Sequence, residues 1–84
     1  MQAKVKTKVV TRRVVDEQAL YRTIGQRIAA ARSRAGMSQA EMSIALGMTR
    51  VNVSNLERGT QRILVEHLYN AALVCGCRAK DLLP

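Results

Sequence analysis

The stretch Ser38–Gly59, SQAEMSIALGMTRVNVSNLERG, constrains the fold of this chain more than any other. Ser38 can cap a helix, and Glu41 three residues later completes a capping box. Ala40, Met42, Ile44, Ala45 and Leu46 supply helix formers and apolar faces. Gly47 stands where that helix must stop and the backbone needs a positive φ. Thr49 can cap a second helix, with Asn52 at its third position. Val53 and Leu56 are three apart and face inward, and Gly59 ends the helix. The opposite face carries Arg50, Asn52 and Asn55. The pattern predicts two short helices joined by a tight turn, the second with a polar outer face.

Composition says what such a pair can meet. The chain has 84 residues, enough for one small domain and a tail. With two tyrosines and neither Phe nor Trp, its core must be built from Leu, Ile, Val, Met and Ala, which suits a helical bundle. The formal charge of +8 and a pI near 10.6 favour a polyanionic partner, most simply nucleic acid. A polar second helix after a glycine turn, on a basic chain, reads as a DNA-binding helix-turn-helix.

Residues Ile24–Leu83 resemble the Xre-type helix-turn-helix domain of phage repressors, Cro proteins and restriction-modification controller proteins. The likeness runs through Ile24-Gly25 and Arg32, then Gly36-Met37-Ser38-Gln39, Leu46-Gly47-Met48-Thr49-Arg50, Val53-Ser54, Leu56-Glu57-Arg58-Gly59, Ala72, Gly76 and Leu82. The chain departs from the family pattern at Ile63, where proline is frequent, and at Cys75, where leucine is. The resemblance implies an all-α, five-helix lambda-repressor-like bundle that binds double-stranded DNA. It also implies that Arg32 pairs with Glu57, locking the first helix to the recognition helix; unpaired, both would be ordinary surface charges.

On helix-turn-helix geometry, positions 50, 51, 52 and 55 are presented to base edges. Arg50 can give two hydrogen bonds to guanine, Asn52 or Asn55 can pair with adenine, and Val51 can pack on a thymine methyl. By resemblance Gln39 joins this group, as a contact to phosphate or to the first base. Thr49, Ser54, Arg58 and Arg62 are the candidates for the DNA backbone.

The remainder of the chain is read around this unit. Asp16 can cap a first helix from Glu17, with Leu20, Ile24, Ile28 and Ala31 or Ala35 at core spacing. Gly25 weakens its middle by roughly 1 kcal/mol relative to alanine. Arg22, Arg27 and Arg34 read as solvated charges on this helix. Leu64 or Val65, Leu68, Ala71, Ala72 and Cys75 predict a fourth helix, and Arg78–Leu83 a short fifth. Leu82 and Leu83 either close the core or help form a dimer. His67 reads as a surface residue.

Residues 1–15 form a separate basic, valine-rich arm, leaving 16–84 as the domain. Lys4, Lys6, Lys8, Arg12 and Arg13 alternate with valines and threonines, which is strand-forming rather than helical sequence. Such an arm is disordered, folds back, or pairs with another chain; an antiparallel ribbon with a symmetry mate fits its β-branched content best. The arm divides two functions. One is a transcriptional regulator of repressor or controller type, acting as a homodimer on a palindromic operator. The other is an antitoxin-type protein whose segment Lys4 to Val15 adds a strand to a partner protein and which also regulates its own operon.

Other classes find no support. Paired carboxylates, a glycine-rich phosphate loop and a Cys-His arrangement are all missing from the sequence, so no catalytic residue is assigned. Cys75 and Cys77 are too close for an unstrained disulfide and too few for a metal site, which fits a reduced, cytoplasmic protein without cofactors. No apolar run is long enough to span a bilayer, so no membrane partner is expected.

Overall fold

The computed structural model describes residues 14–84, which form five helices and no strand. These are α1 (Glu17–Arg34), α2 (Gln39–Leu46), α3 (Arg50–Arg58), α4 (Val65–Cys75) and α5 (Ala79–Leu82). The expected all-α, five-helix architecture is therefore what the described residues adopt. The strand expected within the arm lies outside the described residues, except for Val14 and Val15, which are exposed and belong to no regular element.

Local signals set the helix starts. The Asp16 carboxylate accepts from the Ala19 N–H at 3.2 Å. Ser38 and Glu41 form both halves of the capping box: the Ser38 hydroxyl accepts from the Glu41 N–H at 3.0 Å, and the Glu41 carboxylate accepts from the Ser38 N–H at 2.8 Å. Thr49 Oγ1 accepts from the Asn52 N–H at 3.0 Å. Each cap satisfies a backbone donor that a helix end otherwise leaves open, an effect of about 1 kcal/mol. Between α2 and α3 the chain turns at Gly47, whose φ of +67° is a left-handed conformation that side chains resist.

The starts of α4 and α5 use a different device. At each, the third helical residue reaches back to the residue before the helix. His67 Nδ1 accepts from the Leu64 N–H at 3.1 Å, and Asp81 Oδ2 accepts from the Arg78 N–H at 3.0 Å. His67 is thus a capping residue, half-buried rather than freely exposed.

One apolar core joins all five helices. Ile24, Ile28 and Ala31 come from α1, Met42 from α2, and Val53 and Leu56 from α3. Leu68, Ala71 and Ala72 of α4 and Leu82 of α5 complete it. Ala31 rather than Ala35 takes the last core position of α1. The expected core position at Leu64 or Val65 belongs instead to Ile63, which is buried while both neighbours are exposed. Leu64 is the residue before α4, so its side chain leaves the helical register, and the loop turns Ile63 inward. Ile44 likewise departs from the expected apolar face of α2 and is 81% exposed. Leu82 closes the core, whereas Leu83 is exposed at the surface. Arg27 donates a hydrogen bond to the Leu83 carbonyl, tying α1 to the segment after α5.

Cys75 and Cys77 are free thiols packed against the core edge. Burial pushes the Cys75 thiol above its ordinary range, and neighbouring Cys77 raises it further. Less thiolate means slower alkylation. Cys75 should react with iodoacetamide at neutral pH more slowly in the folded protein than in urea, by more than the reagent's own response to urea. Peptide mapping at timed intervals measures this, and equal rates would contradict a partly buried thiol.

Candidate nucleic-acid interface

The exposed face of α3 is fixed by what its other face buries. Val53 and Leu56 are fully buried, which leaves Arg50, Val51 and Asn52 exposed at the start of the helix. Asn55 follows on the same side one turn later and is half-buried. The four expected base-reading positions of α3 thus lie along one accessible strip. Val51 is 66% exposed.

Gln39 is the first residue of α2 and is held against the recognition helix. Its Nε2 donates to Glu57 Oε1 at 2.9 Å. Glu57 is 7% exposed and also receives Arg32, whose Nε donates to Oε2 at 2.6 Å and whose Nη2 donates to Oε1 at 3.1 Å. Arg32 Nη1 donates to the Met37 carbonyl at 2.8 Å. The expected Arg32–Glu57 pair therefore exists, and it joins α1, the α1–α2 loop, α2 and α3. The hydrogen bond to Glu57 raises the Arg32 guanidinium above its already high ordinary range, so this cation is charged at any working pH.

The backbone candidates divide into three arrangements. Thr49 Oγ1 is engaged as a cap acceptor, and its hydroxyl proton is available to a phosphate. Ser54, Asn55 and Arg58 form a chain on the surface of α3: Arg58 Nη1 donates to Ser54 Oγ at 2.8 Å and Nη2 donates to Asn55 Oδ1 at 2.6 Å. Arg62 lies beyond α3, where the loop and the first turns of α1 form a shallow cleft that brings Arg22, Arg58 and Arg62 to one opening. Arg22, an ordinary solvated charge by sequence, is placed beside the loop arginines only by the crossing of α1 over α3.

Of the six acidic residues, four are engaged within the domain, while Glu17 lines the cleft with the arginines. Asp16, Glu41 and Asp81 are used as helix caps, and Glu57 is neutralised by Arg32. Between Thr49 and Arg62 the buried Glu57 is the one carboxylate in the sequence. Positive helix N-termini of α2 and α3 add to the field beside Gln39 and Arg50. Among the described residues, no group of three or more His, Cys, Asp or Glu is placed to hold a metal ion. Among them, too, no helix is long and apolar enough to cross a membrane.

A capped helix pair around a glycine turn, with a polar strip on its second helix, defines a helix-turn-helix domain. The helix-turn-helix domain family matches residues 23–81, most of the chain, and the protein belongs to that family. No curated protein matches the chain. Solved structures do. The restriction-modification controller protein C.AhdI from Aeromonas hydrophila is 25% identical with a TM-score of 0.72, over 77% of this chain and 98% of that one. The DNA-binding domain of BldD is 25% identical with a TM-score of 0.72, over 80% of this chain and 97% of that one. A hypothetical transcription factor, NHTF from Neisseria, is 28% identical with a TM-score of 0.73, over 90% of this chain and 87% of that one. The resemblance noted in the sequence is thus matched in structure over about three quarters or more of the chain.

Proposed function

We propose that the protein is a sequence-specific, double-stranded DNA-binding transcriptional regulator and not an enzyme. The observation that carries this reading is the strip Arg50, Val51, Asn52 and Asn55, held outward by the burial of Val53 and Leu56 and flanked by Gln39. Its residue types match major-groove chemistry: Arg for guanine, Asn for adenine, an aliphatic group for the thymine methyl. Thr49, Ser54, Arg58 and Arg62 contact the DNA backbone in this reading. The similarity to a controller protein, to a DNA-binding domain and to a transcription factor supports it.

The working unit is a homodimer on a palindromic operator. One recognition helix reads too few base pairs to single out one site in a genome, and a two-fold pair doubles the readout. With Leu82 spent on the core, the exposed apolar groups near the C-terminal helices that can serve self-association include Leu83, Leu64 and the stripe Val65, Tyr69 and Leu73 on α4. The arm, residues 1–15, supplies a second route by strand pairing and adds five positive charges toward DNA.

Replacing Arg50 with alanine should cost about 1–3 kcal/mol of specific binding and relax preference at one base position in each half-site. Selection of bound DNA from a random pool, with wild type and variant side by side, measures both. An unchanged base profile for the variant would remove Arg50 from the reading set. A wild-type protein that selects no sequence would remove the proposed function.

A further inference from the structure

We infer that Arg58 sets which hydrogen-bonding edge Asn55 shows to the DNA, so that the base pair read by Asn55 is specified by acceptors, guanine or thymine, rather than by adenine. The inference rests on the proposed function and adds to it a residue that determines specificity without touching a base. Arg58 lies in the last turn of α3, and its side chain runs back over the preceding turn, as long helical side chains do. There its guanidinium bridges two acceptors, Ser54 Oγ at 2.8 Å and Asn55 Oδ1 at 2.6 Å. Two anchors fix a planar group far better than one.

The consequence for Asn55 follows from the chemistry of an amide. An asparagine reads adenine with both atoms at once: Oδ1 accepts from N6 and Nδ2 donates to N7. Here Oδ1 is held by the Arg58 guanidinium, which lies over Ser54 and Asn55. Nδ2 is the amide group that Arg58 leaves free to meet a base. The free edge of Asn55 is therefore a pair of N–H donors. Guanine presents two acceptors to such an edge, O6 and N7, and thymine presents O4, whereas adenine sets its N6 amino donor beside N7. Cytosine presents an amino group and is refused. Asn52, which has no such tether in the structure, keeps both amide atoms for adenine.

Arg58 is a positioning residue in this scheme, and charge alone does not explain it. Selection from a random DNA pool tests the scheme in four proteins: wild type, Asn55→Ala, Arg58→Ala and Ser54→Ala. Arg58 is exposed and bonds only within its own helix, so its removal leaves the fold intact, which circular dichroism verifies. Asn55→Ala identifies the base position that Asn55 reads. At that position wild type should select guanine or thymine, and Arg58→Ala should shift the preference toward adenine by roughly tenfold. Ser54→Ala keeps the Arg58 charge but removes one anchor, and should shift the same position in the same direction by less. The inference is overturned if Arg58→Ala weakens all sequences alike and leaves the profile unmoved, since Arg58 is then only a phosphate contact. It is overturned equally if wild type selects adenine at that position, or if Asn55→Ala changes none. A wild-type protein that selects no sequence overturns the proposed function and this inference together; the other outcomes overturn this inference alone.

Discussion

Truncating Glu57 to alanine should destabilise the domain by about 3–5 kcal/mol, a large part of the 5–15 kcal/mol that holds most domains folded. The carboxylate is 7% exposed and accepts three hydrogen bonds, two from Arg32 and one from Gln39. Removing it leaves a guanidinium that is largely shielded from water and keeps only the Met37 carbonyl. An exposed pair would be worth about 0–1 kcal/mol, so the measured loss decides between a structural pair and two surface charges. Urea unfolding of Glu57→Ala, Arg32→Ala and the double variant gives the coupling energy. The double variant should lose much less than the sum of the singles, because it buries no orphaned charge. A coupling energy near zero would reject the pair. The sign of the pH dependence also follows. The folded-state pKa of Arg32 is raised, so its share of the stability is complete below the ordinary arginine value. That share is lost only as the pH rises through the folded-state value, far into the alkaline range. Between neutral and moderately alkaline pH it should therefore be flat. The same substitution frees Gln39 from α3, so DNA binding by protein that remains folded should weaken as well.

How much of this was legible in the sequence depends on whether the deciding contact is local. Ser38 with Glu41, Thr49 with Asn52, and Asp16 all cap helices where composition and spacing placed them, because a cap and its partner are three residues apart. The inward face of α3 was legible for the same reason: Val53 and Leu56 fall on one side of a 3.6-residue period. The capping role of His67 is not legible because no Ser, Thr, Asp or Asn precedes α4, and the third helical residue supplies the acceptor instead. Ile63 was missed because periodicity says nothing about a residue outside the helix. Arg22 and the Gln39–Glu57 bond were hidden more deeply, since each joins elements far apart in the chain. The Arg32–Glu57 pair was foreseen only through family resemblance, and the local pattern alone left both as surface charges.

Gly25 is where a local reading gives the wrong sign, and Gly25→Ala is the second large effect expected. By helix propensity alone, alanine in the middle of an eighteen-residue helix gains roughly 1 kcal/mol over glycine. Packing reverses this. A Cβ on Gly25 would stand 2.5 Å from the carbonyl oxygens of both Leu56 and Glu57, and 2.8 Å from the Glu57 carbonyl carbon. The closest ordinary carbon–oxygen contacts are near 3.3 Å, so α1 and α3 must move apart by several tenths of an ångström. No side chain can yield, because all three atoms are backbone. Gly59 makes the reciprocal approach one turn away. A Cβ there would lie 2.6 Å from the backbone of Arg22, at a φ of +72° that already disfavours a side chain. The two glycines let α1 and α3 touch backbone to backbone, and that contact sets the tilt of the recognition helix. Overpacking of about 1–3 kcal/mol or more outweighs the propensity gain. The separation also stretches the bonds from Arg32 to Glu57, so Gly25→Ala should destabilise by at least about 2 kcal/mol. Gly47→Ala is the internal comparison: unlike Gly25 it has a positive φ, but the space around the added Cβ is open, and it should cost only about 1–2 kcal/mol. Thermal unfolding and DNA binding are measured on both. Gly47→Ala should lower the melting temperature and bind DNA normally where folded, whereas Gly25→Ala should lose stability and affinity together. A Gly25→Ala protein that melts at or above wild type would show that helix propensity, not the close crossing, governs this position.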